Sequence, residues 1–122
     1  MRLSFIQLTA FRVNWKRLRM TDADLRALEI IMLENPLGPP VMSGTGGLRK
    51  IRFSGERSYG GKSGGVRVCY AYFPKFGLIY LCAVFPKNEK SNLSHQERNA
   101  YRQLLAEFER YLDEYFGKGW TP

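Results

Sequence analysis

Nine basic side chains fall between Leu48 and Lys90: Arg49, Lys50, Arg52, Arg57, Lys62, Arg67, Lys75, Lys87 and Lys90, against two acids, Glu56 and Glu89. The other 79 residues carry ten cations and nine acids, so nearly all of the net charge of +8 belongs to this one segment. A solvated basic surface would spread its excess along the chain; this concentration points to an anion site. Side chains alternate along a strand, so Lys50 and Arg52 share one face while Ile51 and Phe53 take the other. Arg67 shares a face with Cys69, Ala71 and Phe73, and antiparallel pairing across the 54–65 loop would set it beside Lys50 or Arg52. The following strand runs directly into Lys87 and Lys90. Like charges gathered this way repel unless an anion lies between them. The chemistry that suits them is RNA cleavage by the substrate's own 2′-hydroxyl. A base removes the hydroxyl proton, guanidinium groups hold the negative charge that builds on the phosphate, and an acid protonates the leaving 5′-oxygen. Lys50 is the candidate base, since an amine can give up its proton where a guanidinium cannot. Taken alone, the pattern specifies phosphate, and RNA only by suggestion.

Other motifs carry less. GTGG at 44–47 precedes a strand rather than a helix, so it is no dinucleotide fingerprint. GGKSGG at 60–65 lacks both the spacing and the following helix of a nucleotide phosphate loop. His95, the single histidine, sits in the first turn of the last helix, where surface histidines are commoner than catalysts. Cys69 and Cys82 read as small buried fillers in preference to a bridge, and two cysteines with one histidine make no zinc set. Tyr59, Tyr70, Tyr72 and Tyr80 could stack on bases, although tyrosines in strands usually pack.

The elements that must position these groups follow in order. Ser4–Ala10 reads as a strand, Phe11–Arg19 as a basic amphipathic helix, and Thr21 with Asp24 as a capping box opening a second helix that ends at Asn35-Pro36. A loop rich in Pro and Gly fills 36–47, strands cover Leu48–Phe53, Val66–Phe73 and Leu78–Phe85, and a Gly/Ser-rich loop expected to be mobile fills 54–65. The last strand is apolar on both faces, which places it mid-sheet with helices on one side. Ser94 and Glu97 form a second capping box, from which a helix runs to Gly117, and residues 117–122 are expected to fray. With 122 residues, 44% of them hydrophobic, the chain suits one α+β domain with a core large enough to need no disulfide or metal staple. No run approaches the roughly 18 apolar residues of a membrane span. The basic N-terminus faintly suggests a transit peptide, but Ser4–Phe11 reads better as a strand, so the cytoplasm is the expected location.

The ordered set GTGGLRKIRF, GG-VR-V-Y-Y and KNEKSNLS resembles the RelE/ParE toxin superfamily, nearest its HigB-like branch, and the resemblance spans most of the chain. It implies a small, twisted, antiparallel-rich sheet packed against an N-terminal helical hairpin and a C-terminal helix. It further implies a type II toxin–antitoxin toxin: a metal-independent, cofactor-free endoribonuclease that cleaves mRNA on the ribosome. The implied partners are ribosome and mRNA, and a cognate antitoxin of helix-turn-helix type that covers or distorts the basic face, with operator DNA reached only through it. By position, Lys50 and Arg52 match the family's paired basic strand residues, Arg67 the arginine of the next strand, and Lys87 and Lys90 its basic loop. Some relatives carry a Tyr or His acid/base where this chain has Ser94 followed by His95, so His95 is the expected general acid and Lys90 its rival. Arg49, Arg57, Lys62 and Lys87 complete the expected RNA contacts. The alternative within the superfamily is a ParE-like toxin that binds DNA gyrase without cutting RNA, a task that does not need the LRKIR strand with Arg67 beside it.

Overall fold

A computed structural model describes residues 2–55, 65–90 and 92–117. Of the 54–65 loop expected to be mobile and the 117–122 tail expected to fray, residues 56–64 and 118–122 lie outside the described residues, as therefore do Tyr59 and the RNA contacts Arg57 and Lys62.

Four strands, β1 (Ser4–Gln7), β2 (Leu48–Phe53), β3 (Val66–Phe73) and β4 (Leu78–Pro86), form one sheet in the order β1-β4-β3-β2. β2, β3 and β4 pair antiparallel, while β1 runs parallel to β4. Parallel neighbours need a crossover, and the intervening helices provide it. Helix α1 covers Thr9–Arg17 and α2 Asp22–Glu34, and both bury their apolar stripes on one face of the sheet. Phe11 and Trp15, one turn apart, stack at 5.2 Å, and Trp15 continues onto Phe53 of β2 at 6.1 Å. Thr21 caps α2 with the reciprocal Thr21–Asp24 bonds that the sequence signals.

Two expectations need correction. β1 ends at Gln7 rather than Ala10, because Leu8 already serves as the N-cap of α1. Helices also cover both faces of the sheet rather than one. Helix α3 (His95–Leu112) lays Leu105 and Leu112, with Tyr101 and Phe108, against Cys69, Ala71, Tyr80 and Cys82 on the face opposite α1 and α2. Tyr80 and Phe108 stack there at 4.5 Å. The apolar residues of β4 thus divide between two cores, Ile79, Leu81 and Val84 on one side and Tyr80, Cys82 and Phe85 on the other. The strand tyrosines Tyr70 and Tyr80 are buried, as packing residues are. Beyond Leu112 the chain winds into a wider turn over Asp113–Gly117. Among the described residues no helix is long and apolar enough to cross a membrane.

A β-bulge adjusts the register of β3 on β4. Cys69 opposes Ala83 and Tyr70 opposes Leu81, leaving Cys82 without a cross-strand partner. The extra residue turns Cys82 and Ala83 toward the same side, so both pack under α3. Neither cysteine is bridged, and burial pushes both thiols up to about 12. They are inert fillers.

Candidate functional site

The β2–β3 register sets the site. Arg52 opposes Arg67, Lys50 opposes Cys69, and Leu48 opposes Ala71, so Lys50, Arg52 and Arg67 share the face on which α3 packs. Positions directly opposed in an antiparallel pair hold their Cβ atoms about 5 Å apart, which brings the two guanidinium stems side by side. Leu48, Cys69 and Ala71 are buried beneath the helical core, whereas Arg52 is exposed and Lys50 and Arg67 are half-buried. The cations therefore occupy the end of the sheet where the α3 core gives way to solvent. The opposite, inward faces of β2 and β3, with Ile51, Phe53, Val66 and Val68, anchor this end in the other core. Gly65 closes the approach of β3 to β2 with φ +69°, and an added Cβ would run into the Phe53 carbonyl.

The turn after β4 completes the surroundings. Phe85 opposes Arg67 on the same face, and the Lys90 ammonium lies 5.0 Å from the centre of the Phe85 ring. Lys90 also binds the Glu97 carboxylate at 2.6 Å. The Glu97 carboxyl is held below its ordinary value by that bond and by the Ser94 backbone N–H that closes the capping box. The Lys50 ammonium donates to Asn92 Oδ1 at 3.3 Å, and the same oxygen accepts from the Leu93 N–H at 2.9 Å. Cys69, in the floor, registers the surrounding charge: burial raises its thiol, and Lys50, Lys90 and Arg98 each pull it back. Lys50, Arg52, Arg67 and Lys90 thus gather around one stretch of sheet.

The remaining expected residues lie elsewhere. Arg49 points to the opposite side of β2 from Lys50, and its guanidinium donates to the Leu37 and Pro39 carbonyls, tying the proline loop to the strand. Lys87 is exposed in the turn after β4. His95 lines a separate cleft with Ser43, Gly44, Arg98, Asn99 and Arg102. Sequence patterning singles out neither Asn92, Arg98 nor Arg102. The available signal is the spacing of 95, 98, 99 and 102, which puts those four side chains on one flank of α3. Among the described residues no group of His, Cys, Asp and Glu side chains could hold a metal ion.

No protein-family model matches the chain. Among solved structures, the E. coli toxin RelE, an arginine-substituted variant in the free state, superimposes with a TM-score of 0.52 over 75% of this chain and 90% of that one, at 15% identity. The fold is RelE-like. At that identity the similarity speaks for architecture: a mixed sheet with helices on it, in the arrangement the sequence resemblance implies. What the site does is a question for its own residues.

Proposed function

We propose that this chain is the toxin of a type II toxin–antitoxin pair and acts as an endoribonuclease on ribosome-bound mRNA. The observation that carries the reading is the β2–β3 register, which converges Lys50, Arg52 and Arg67 on one sheet face at the margin of the α3 core. Arg52 and Arg67 cradle the scissile phosphate and stabilise the charge that develops on its oxygens, an effect for which one fixed donor contributes about 10²–10³ in rate. Lys50, oriented by Asn92 and acting as the neutral amine, takes the proton of the 2′-hydroxyl; the alkoxide attacks the adjacent phosphorus, forming a 2′,3′-cyclic phosphate and releasing the 5′-oxygen. Lys90, fixed by Glu97 and lying over the Phe85 ring that opposes Arg67, protonates that oxygen in this reading, in preference to His95, which lines a separate cleft. The antitoxin in this reading silences the protein by covering the basic face.

Expression of the protein followed by mapping of mRNA 5′ ends tests the reading. Cleavage inside reading frames that disappears in folded Lys50→Ala and Arg67→Ala variants is the expected result. Intact message accompanied by DNA damage overturns it in favour of gyrase poisoning.

A further inference from the structure

The cleft that holds His95 contains positive charge that no carboxylate among the described residues neutralises. It measures about 400 Å³ and lies between the 43–44 segment and the first two turns of α3, lined by Ser43, Gly44, His95, Arg98, Asn99 and Arg102. Arg98 is clamped from both ends: Nη1 donates to the Ser43 carbonyl at 3.0 Å, and Nε reaches the Leu93 carbonyl at 3.4 Å. Arg102 donates to the Asn99 side-chain oxygen. All of these acceptors are neutral, and among the described residues neither arginine pairs with a carboxylate. Glu97, the acid nearest in sequence, is engaged by Lys90 and the Ser94 backbone. Neutral acceptors orient a guanidinium without cancelling its charge, which is what a ready-made anion site requires.

The loop wall is built to come close. Thr45, fully buried, accepts from the Leu48 N–H at 3.0 Å and donates to the Met42 carbonyl at 2.7 Å, which locks the 42–48 turn. Gly46, at φ +74°, lets the turn lie against α3, where a Cβ would meet Arg102 Cγ at 3.2 Å. The GTGG run therefore serves this cleft as a wall. The 92–94 turn joins the cleft to the basic sheet face, since Lys50 holds it through Asn92 and Arg98 holds it through the Leu93 carbonyl.

We propose that this cleft is a second phosphate site, taking a backbone phosphate of single-stranded RNA away from the scissile linkage. The inference rests on the RNA reading above and adds a separate subsite to it. It also gives His95 a binding task in place of a catalytic one, with Arg98 and Arg102 as its partners.

The lone histidine supplies a specific probe, because its imidazole Hε1 proton gives one NMR resonance. The intact protein is titrated with inorganic phosphate and, separately, with a short single-stranded RNA. The expected result is a saturable shift of the His95 resonance with both, lost for phosphate in Arg102→Gln but retained in Arg52→Ala, whose side chain does not hold the 92–94 turn. In RNA-binding assays Arg102→Gln is expected to lower the slope of log affinity on log salt by about 0.7, the share of one single-strand phosphate. A resonance unmoved by either probe, or equally responsive in Arg102→Gln, overturns the cleft. If RNA binding then depends on Arg67 but not on Arg102, the proposed function stands without it. A response to phosphate alone, with none to RNA, overturns the assignment of this site to RNA.

Discussion

Arg52 and Arg67 stand directly opposite each other across the β2–β3 ladder, on the same face as Lys50. Two guanidinium groups so placed are the arrangement that gains most from an anion bridging them. Arg67→Ala is therefore expected to reduce RNA cleavage by about 10²–10³, with a circular-dichroism melt that remains cooperative. Arg67→Lys should recover only part of the loss, because an ammonium cannot make the forked contact. Full activity in Arg67→Ala would remove the phosphate cradle from the mechanism.

A substitution at Lys50 tests binding apart from chemistry. Lys50→Arg keeps the positive charge but replaces a base with a group that does not release its proton. RNA affinity should stay within a few-fold of wild type, while single-turnover cleavage falls by about 10²–10⁴. Equal losses in both would make Lys50 a phosphate contact and nothing more.

Gly65→Ala tests the hairpin that aligns the pair. The new Cβ meets the Phe53 carbonyl, and the left-handed conformation costs a non-glycine residue about 1–3 kcal/mol. Chemical denaturation should show that loss. Cleavage should fall with it, because separating β3 from β2 shifts Arg67 relative to Arg52.

The two buried thiols give an alkaline prediction. Their folded pKa values are pushed up to about 12 by burial, from an ordinary value of 9.0. Above pH 9 the unfolded chain loses these protons and the folded chain keeps them, so stability declines between pH 9 and about 12. The slope is at most about 1.4 kcal/mol per pH unit for each thiol. Urea titrations across this range should show a shallower decline in Cys69→Ala/Cys82→Ala, and native protein at pH 8 should resist thiol reagents that label it once unfolded.

How much of this was legible in the sequence depends on the range of the interaction. The Thr21–Asp24 and Ser94–Glu97 caps are visible in the string because each closes within three residues. The bounds of β2 and β3 are visible too, since Leu48–Phe53 and Val66–Phe73 are β-prone runs flanked by turn residues. The alternation also fixes which of their cations share a face. Helical periodicity shows that α3 buries one stripe, but not which sheet face receives it, and that choice decides where the basic surface ends. The Lys90–Glu97 pair escapes for a similar reason, because one charge follows β4 and the other lies on α3, and the two meet only once those elements are packed. Nor does local pattern reveal that Arg49, one residue from Lys50, spends its guanidinium on two loop carbonyls.

β2 is an edge strand of its sheet, and among the described residues a single bridge, Val41 to Arg49, lies beyond it. A strand in that position can recruit its counterpart in another molecule and seed fibrils, and charged side chains are a common deterrent. The cations that would grip RNA thus also keep LRKIRF from behaving as a sticky ribbon. Variants that strip several of them together should be checked for solubility before any loss of the proposed activity is credited to chemistry.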